Sequence, residues 1–510
     1  MGGAGKKSTR SKAQSLIKGS SPKKPPFMPL SPRQSSLRTS TGWLEGTEPL
    51  NGLSLTESMS RLQVKEGSQR SSECNVTIPR ADDASKEKRN RTMQKGNFLI
   101  RMAQLYQLYG SPAHQIEEST RRAAEGLGMQ LDIKSFPGFM MATFAAQGSN
   151  ETVFQTTFTG NNLKKLERVD VVARRCAAGQ YTGNNLDDGV VELDGIMMAP
   201  DPWSLPVLLI MHGISHGLSA LCLFDGGWRD AVLSAILGAL TGLSTLRIEG
   251  IVSPKLEKLN GFFSCVFNSF VVRIVQLHVH PSICFYPSVV SSILGILPGL
   301  GITLGAIEVS QSQIVAGTAR MVDSFFKTTL IAIGISMGSQ IAFHVSKKSA
   351  ADLVLVEPQT LDRWHSAMVF PILSFSSTFL LNSAASQLPS QIFTSCCGFL
   401  VYTACLEMNF SREMTMALSA LVVAVVGHLC TLYNRRPSLI TVLSGLLLLV
   451  PGGMSVRGAA RSLVGGEEEG ETGSIAISVI TVATSISIGV FVANVLVYPG
   501  HNLRLEPLGI

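Results

Sequence analysis

Acidic residues are absent from the first 44 positions of the chain, and Glu45 is the first of them. Residues 1–100 contain 18 Lys and Arg against 8 Asp and Glu, a net charge of +10, whereas the whole chain carries +7. The basic character therefore belongs to an N-terminal arm, residues 1–95, whose charge could touch anionic membrane lipid. We expect membrane lipid, and no nucleic acid, as a partner of the protein. Since the arm is rich in Ser and Lys and has no apolar period, we expect it to be disordered.

An apolar stretch typical of a secretory signal is also absent from the start of the chain. An acid-poor, Ser-rich start is compatible with an organellar transit peptide. The alternative is a cytosolic tail that is phosphorylated at the Ser-Pro pairs of Ser21 and Ser31. We expect the N-terminus to be cytosolic.

Closely spaced cysteine pairs are lacking, because none of the nine cysteines belongs to a Cys-x-x-Cys motif. Seven of the cysteines lie in or beside apolar segments, where they can serve as small core residues. The spacing therefore indicates neither a disulfide framework nor a zinc knuckle, and we expect no metal and no cofactor.

Charged residues are scarce, at 15% of the chain, while apolar residues reach 45%. From Ser204 onward the apolar residues form ten segments, each near the roughly 20 residues that a helix needs to cross a bilayer. A charged linker at residues 347–365 separates five segments in residues 204–346 from five in residues 366–499. A tail follows at residues 500–510. The ten segments are 204–224, 229–247, 259–278, 283–305, 324–345, 366–385, 389–406, 414–433, 438–453 and 474–498.

Residues 96–203 have the pattern of a small soluble domain with both helices and strands. Apolar residues recur at helical spacing in Asn97–Leu108, and Ser111 with Pro112 can open a second helix. Alternating patterns then predict strands, and two more helices precede the first apolar segment. The predicted strands are Leu131–Ser135, Phe139–Ala145 and Thr152–Thr159, and the predicted later helices are Leu163–Cys176 and Leu186–Met197. The fold class is thus an all-α polytopic membrane protein with a small N-terminal α+β domain.

The fourth apolar segment is interrupted by Pro298 and Gly299, with Gly301 close behind. Proline lacks the donor that an interior helical position needs, and glycine weakens the helix further, so we expect this helix to break. In a bilayer, backbone groups freed in this way must be buried in protein or face a wet cavity. Discontinuous helices beside ionisable residues are where secondary transporters bind their cargo.

The ninth segment is interrupted in the same way by Pro451, Gly452 and Gly453. Each interruption falls in the fourth segment of its group of five. An odd number of spans per group forces the two groups into opposite orientations, which is the inverted-repeat arrangement of many secondary transporters. We therefore predict ten transmembrane helices in two inverted five-helix halves.

A polar island follows the first interruption and carries a carboxylate and a guanidinium. Pro298-Gly299, then Glu308, then the run G-T-A-R-M at residues 317–321 resemble the signature of the threonine/serine exporter family and its fungal relatives, the pheromone-regulated membrane proteins. The sequence around Pro451 is similar to the C-terminal signature of that family, so the resemblance extends over residues 97–499. It implies a secondary transporter that exports small amino acids such as threonine or serine, with proton coupling.

Glu308 and Arg320 are the candidates for binding a zwitterionic cargo, because a carboxylate can bind its amino group and a guanidinium its carboxylate. The alternative is an ion pair at the membrane edge, which contributes little if it is exposed. The backbone at Pro298, Gly299 and Gly301 completes the candidate substrate site. Its counterparts in the second half are Pro451, Gly452 and Gly453, and Arg273 and Arg457 are secondary candidates.

His212 and His216 lie four residues apart, on one face of a predicted membrane helix. Position 213 is not Glu, so the H-E-x-x-H metal motif is not formed. An ionisable residue inside a membrane segment indicates a wet cavity or a proton path, so these histidines and Glu308 are our candidates for proton coupling. The alternative for the histidines is a buried, hydrogen-bonded structural role.

Earlier in the chain, His114, Glu117 and Glu118 lie together in a predicted helix. They could form a metal or acid–base cluster. A solvated helix face is the alternative that we favour, since no third convergent metal ligand accompanies them.

Gly213-Ile214-Ser215-His216-Gly217 matches the G-x-S-x-G nucleophile elbow of hydrolases. That motif requires a strand before it and a doubly wound sheet around it, whereas apolar helical segments follow here. A second copy at residues 334–338 indicates instead that small residues pack membrane helices closely. We therefore expect no enzyme activity, with an intramembrane hydrolase as one alternative and a membrane scaffold or signalling protein without transport as the other.

Overall fold

The computed structural model describes residues 81–146, 149–181, 185–249, 254–349, 362–434, 436–450, 456 and 471–497. These residues form a mostly helical protein with one three-stranded sheet near the N-terminal end. Most of the N-terminal arm and the second interruption, Pro451, Gly452 and Gly453, lie outside the described residues. Arg457 and the tail at 500–510 lie outside them as well.

The first helix, α1 (Ala81–Leu108), begins inside the segment 1–95 that we predicted to be disordered. Residues 81–95 lack an apolar period, so the sequence pattern did not predict a helix there. They are nevertheless rich in Ala, Lys and Arg, which favour helix formation. The same helix continues into Phe98 and Met102, which are buried in the core. The rest of the N-terminal domain comprises α2 (Ala113–Gly126), β1 (Leu131–Phe136), β2 (Phe139–Ala146), β3 (Ser149–Thr156), α3 (Leu163–Ala177) and α4 (Leu186–Met198).

The three strands form an antiparallel sheet in the order β1-β2-β3. The first two lie where the alternating pattern predicted them, and β3 begins and ends three residues earlier than predicted. Leu131 pairs with Phe144 and Phe139 pairs with Thr156. Alternate residues such as Ile133 and Met140 are buried, so the register places the apolar set on the face that packs against the helices.

Eleven further helices follow in the described part of the chain. The fourth predicted segment is divided into two helices, and each of the other nine predicted segments corresponds to one helix. The helices are α5 (Leu205–Cys222), α6 (Trp228–Glu249), α7 (Pro254–His278), α8 (Phe285–Ser292), α9 (Gly299–Ser310), α10 (Ile314–Ser346), α11 (Arg363–Leu380), α12 (Leu388–Glu407), α13 (Arg412–Asn434), α14 (Ser438–Leu449) and α15 (Glu471–Val497).

Five of the described helices, α5, α7, α10, α13 and α15, are long and apolar enough to cross a membrane. The bent pair α8 and α9 makes a sixth span if the two helices are counted as one. The helix α14 is apolar but has only 12 residues in the described part of the chain. The chain is therefore a multi-pass membrane protein.

Small residues bring the membrane helices into close contact. A Cβ atom at Gly217 would lie 2.8 Å from the carbonyl oxygen of Ala231, so α5 and α6 meet at their backbones. Gly334 packs in the same way on Phe262 of α7. Both G-x-S-x-G copies thus serve helix packing, as their repetition predicted. Ser215 lies inside α5 rather than on a turn between a strand and a helix, which removes the structural context that the hydrolase motif requires.

The N-terminal domain and the membrane helices share one hydrophobic core. Buried residues of the domain, including Tyr106 and Leu163, belong to the same cluster as Leu304 of α9, Leu381 after α11 and Met416 of α13. This shared burial fixes the domain against one end of the membrane helices.

Candidate functional site

The fourth predicted segment breaks where its Pro-Gly pair predicted. The helix α8 ends at Ser292, a 3₁₀ turn covers Leu294–Ile296, and α9 begins at Gly299 with Pro298 as its N-cap. The two helices meet at 60°. No side chain caps the N-terminus of α9, so its first backbone N–H groups point into the break without a side-chain acceptor.

His216 of α5 is hydrogen-bonded to the backbone of this break. The Gly295 N–H group donates to His216 Nε2 over 3.4 Å, and His216 Nδ1 lies 2.6 Å from the His212 carbonyl oxygen. This pattern fits a neutral imidazole that carries its proton on Nδ1. The His212 ring stacks on the His216 ring with centroids 5.5 Å apart, and its buried Nδ1 has no hydrogen-bond partner among the described residues.

Two glycines of α6 make room for the two histidines. A Cβ atom at Gly238 would lie 2.3 Å from the His216 side chain, and one at Gly242 would lie 2.7 Å from that of His212. Because these contacts are below van der Waals distance, the imidazole rings depend on glycine at both positions. The i, i+4 spacing of the glycines matches that of the histidines.

A network of buried polar side chains surrounds the break on the side of α6 and α7. Asn268 of α7 is 1% exposed and donates to Thr241 of α6 and to Ser292 at the end of α8. Nearer the start of α8, Asp230 accepts from the Ser288 hydroxyl at 2.8 Å. The sequence did not reveal this network, since single polar residues in apolar segments do not show which ones will meet.

Two buried hydroxyls, one of them close to the break, also lack a hydrogen-bond partner among the described residues. Thr303 lies one turn beyond Gly299 in α9, and Ser374 lies in α11. Both are fully buried. Buried hydroxyls are normally paired with protein groups or with bound molecules. Because Thr303 also lies one turn from the uncapped end of α9, it is a candidate for contact with a polar ligand at the break.

Glu308 and Arg320 form an ion pair with each other, which was the alternative to cargo binding, but the carboxylate is buried rather than exposed. Arg320 donates from Nε to one carboxylate oxygen of Glu308 at 2.9 Å and from a terminal nitrogen to the other at 2.8 Å. The Glu308 side chain is 0% exposed and that of Arg320 is 18% exposed. Bidentate guanidinium–carboxylate pairs of this kind are stronger and more directional than exposed ion pairs.

A third group, from the N-terminal domain, completes this pair. The backbone N–H of Ala113, the first residue of α2, donates to Glu308 at 2.9 Å. Glu308 thus acts as the anionic cap of a helix that is distant in sequence, where the positive end of the helix dipole favours a carboxylate. Glu308 lies nine residues after Gly299, which corresponds to roughly 13 Å along α9 at ~1.5 Å per residue. The structure therefore places the pair and the break at opposite ends of α9.

The domain is attached to three connections between membrane helices. Glu117 of α2 accepts from Gln313, between α9 and α10, at 2.7 Å. The N–H of Leu163 donates to the Leu381 carbonyl after α11 at 3.0 Å. Glu167 of α3 forms an ion pair with Arg436, between α13 and α14, at 3.2 Å. The helix face at His114 and Glu117, which we predicted to be solvated, is instead an interface.

Within that interface, the Nδ1 atom of His114 is buried and has no hydrogen-bond partner among the described residues, while the residue as a whole remains partly exposed. Burial lowers the pKa of His114 to about 4; Glu308 acts to raise this pKa and Arg320 to lower it. His114 is therefore neutral in the docked arrangement at neutral pH.

The remaining candidates have separate positions. Gly301 packs against α10, where a Cβ atom would lie 2.3 Å from the Ser324 hydroxyl. Arg273 of α7 is 6% exposed and lies 3.6 Å from the Phe285 ring, and its Nε donates to Ser339. In the described part of the chain, no group of three His, Cys, Asp or Glu side chains is placed to hold a metal ion.

Two family models match the chain. One, described as "Putative threonine/serine exporter", matches residues 97–342, and the other, described as "Threonine/Serine exporter, ThrE", matches residues 366–496. No solved structure matches the chain.

Relatives in yeasts cover most of the chain. Pheromone-regulated membrane protein 10 of Saccharomyces cerevisiae is 26% identical over 428 residues, which is 80% of this chain and 54% of the relative. The proteins of the same name in Candida glabrata and Eremothecium gossypii are 24% and 23% identical, over 80% and 85% of this chain and 53% and 59% of theirs. The chain thus spans about half the length of these relatives. With family matches in both membrane-helix regions and in the N-terminal domain, the chain belongs to the threonine/serine exporter family.

Proposed function

We propose that this protein is a secondary transporter that exports small amino acids of the threonine/serine type, coupled to protons. The break between α8 and α9 is the observation that carries this proposal. A bent helix pair with an uncapped N-terminus, beside buried histidine, asparagine and hydroxyl groups, is suited to a small polar cargo.

The cargo binds at the break through complementary groups. Its carboxylate lies at the N-terminus of α9, where the backbone N–H groups of Gly299 and Gly301 and the helix dipole favour an anion. Its hydroxyl or amino group can pair with the Thr303 hydroxyl, which is buried one turn into α9 without a partner among the described residues. Pro298 keeps the N-terminus of α9 open, because it ends the hydrogen-bond ladder at this point.

From the repeated Pro-Gly of the sequence, we propose that Pro451, Gly452 and Gly453 complete the substrate site from the second half. Two five-helix halves in opposite orientations would bring the two breaks to one cavity near the membrane midplane. A repeated contact supports this arrangement. A Cβ atom at Gly338 of α10 would lie 2.2 Å from the Val266 carbonyl of α7, and one at Gly489 of α15 would lie 2.3 Å from the Ala417 carbonyl of α13.

The attachment of the N-terminal domain supports ten spans. It contacts the connections α9–α10, α11–α12 and α13–α14, and two helices separate each of these connections from the next. On the opposite side, Arg229 after the α5–α6 connection donates to Ser282 in the α7–α8 connection, and Lys348 after α10 donates to Leu277. This alternation is what helices crossing a membrane in turn produce, with α8 and α9 as one span.

In this conformation the Glu308 carboxylate already accepts hydrogen bonds from Arg320 and Ala113, so it is not free to bind cargo. The pair of Glu308 and Arg320 instead controls the access of cargo to the binding site. The amino group of a cargo reaches Glu308 when α2 withdraws, and its carboxylate can then pair with Arg320. Glu308, His212 and His216 are the candidates for proton coupling. We propose that the N-terminal domain faces the cytosol.

Flux in proteoliposomes tests the proposed function. Vesicles that contain the purified protein and radiolabelled threonine or serine should release the label faster than protein-free vesicles, and a proton gradient should change the rate. The variant Gly195→Ala serves as a control, because a Cβ atom there meets no other atom within 4 Å. Release equal to that of protein-free vesicles for every small amino acid would favour the scaffold alternative.

A further inference from the structure

The interface between α2 and the end of α9 combines a buried ion pair with a histidine that belongs to neither the break nor the membrane helices. His114 is the one histidine that precedes His212 in the sequence. It follows Ala113, whose N–H group is bonded to Glu308. No hydrogen-bond partner among the described residues holds its buried Nδ1. Leaving a buried nitrogen unpaired costs free energy, so such an atom in a folded protein calls for an explanation.

We propose that His114 is a proton-binding site of the transporter, neutral while α2 is docked on Glu308 and protonated when α2 withdraws. The proposal rests on the proposed transport function and adds the residue at which docking of the N-terminal domain and proton uptake are linked. The proton comes from water on the domain side and binds Nδ1, and no covalent bond to a heavy atom forms or breaks.

The docked arrangement excludes the proton for three reasons. The Nδ1 atom is buried. His114 occupies the second position of α2, where the positive end of the helix dipole disfavours a cation. The guanidinium of Arg320 already neutralises Glu308, so the carboxylate cannot stabilise a second cation fully.

Other charged groups near His114 are engaged elsewhere. Glu117, on the same helix, accepts from Lys134 of β1 and from Gln313. Glu118 is paired with Arg121 and Arg122 on the side of α2. The charges that act on His114 are therefore Glu308 of α9 and Arg320 of α10.

The direction of the pH dependence follows from these groups. The pKa of His114 is lowered from 6.5 to about 4 by burial when α2 is docked. Docking is therefore at full strength above pH 6.5, weakens as the pH falls below 6.5, and levels off below about 4. A difference of this size corresponds to a proton affinity on the order of a hundredfold higher in the withdrawn state.

Hydrogen exchange of the reconstituted protein tests the proposal without requiring transport. Protection of the first-turn amides of α2, corrected for intrinsic exchange, should fall between pH 7.5 and pH 5.5 in the wild type. His114→Gln and His114→Asn should abolish this pH response, and Asn is the second variant in case Gln disturbs the fold. His278→Gln is the matched control, because it removes an exposed histidine from the far end of α7 and should leave the response intact.

Transport provides the second readout. In the His114 variants, the number of protons moved per amino acid, measured from reversal potentials, should fall relative to the wild type. A wild-type protein that shows the pH response but no amino-acid flux would refute the proposed function and retain the proton site. Protection of α2 that does not vary with pH in the wild type, or a His114→Gln variant with the wild-type response, would overturn the proposal.

Discussion

At the scale of single residues, Glu308 connects the membrane helices to the N-terminal domain. Its carboxylate accepts from the guanidinium of Arg320 and from the N–H group of Ala113, and it has no exposed surface. From the sequence we singled out Glu308 and Arg320 as cargo-binding candidates, with an ion pair between them as the alternative. The sequence did not identify Ala113, because a backbone donor 195 positions away leaves no mark on residue identity.

Removing the guanidinium should destabilise the protein strongly. Arg320→Ala leaves a buried carboxylate without its counter-charge, a loss that costs about 3–5 kcal/mol in buried pairs. Thermal unfolding in nanodiscs measures this change. The double variant Glu308→Gln with Arg320→Gln should recover most of the stability but not the flux, since no charge is then left unpaired. Full recovery of the flux would show that the pair is structural and takes no part in transport.

Ser215 belongs to the same scale and should behave as a packing residue. Its hydroxyl is buried without a hydrogen-bond partner among the described residues, so Ser215→Ala removes an unsatisfied group and should maintain or raise stability. A serine-directed covalent probe should not label the wild type at this position. Labelling of Ser215 that the Ala variant abolishes would instead restore the hydrolase interpretation.

At the scale of helices, two devices recur: glycine contacts that join helices and a Pro-Gly pair that ends one. Both could be predicted from the sequence, because proline and glycine act on the backbone of their own segment. The pairing between elements could not be predicted in the same way. The contact of His216 with Gly295 and that of Asn268 with Ser292 depend on how α5 and α7 pack against α8.

Glycine replacement tests the repeated helix contact. Gly338→Ala and Gly489→Ala each place a methyl group against a backbone carbonyl at 2.2 and 2.3 Å, so the helices must separate. Overpacking of this kind costs typically ~1–3 kcal/mol, and the two variants should lower the unfolding temperature to a similar extent. Gly195→Ala, in open space inside α4, should not lower it, since Ala favours the helix more than Gly does. A normal unfolding temperature for either helix variant would contradict the close contact.

At the scale of the whole molecule, the N-terminal domain was the part whose place the sequence described least. Its strands and most of its helices were predicted from periodicity, whereas α1 begins earlier than expected because residues 81–95 are polar on every side. We also predicted from the sequence that His114 and Glu117 lie on a solvated helix face. Their role as an interface could not be predicted, since a helix face that binds a polar surface looks the same as one that binds water.

The topology makes a further prediction for the whole chain. We proposed ten spans, an even number, which would place residues 1–203 and the segment after Pro499 in the same compartment. Single cysteines introduced near each end, in a background without accessible native cysteines, should react with a membrane-impermeant reagent from the same side. Reaction from opposite sides would require an odd number of spans and would remove the inverted repeat.

The most direct test of the central claim measures amino-acid flux and thermal stability together in the variants Pro298→Ala and Pro451→Ala. If the broken helices bind the cargo, each replacement lets the backbone hydrogen bonds form again and closes the site. We predict flux reduced at least tenfold, with an unfolding temperature equal to or above that of the wild type. Normal flux in both variants, or loss of flux that merely follows loss of stability, would contradict a cargo site at the helix breaks.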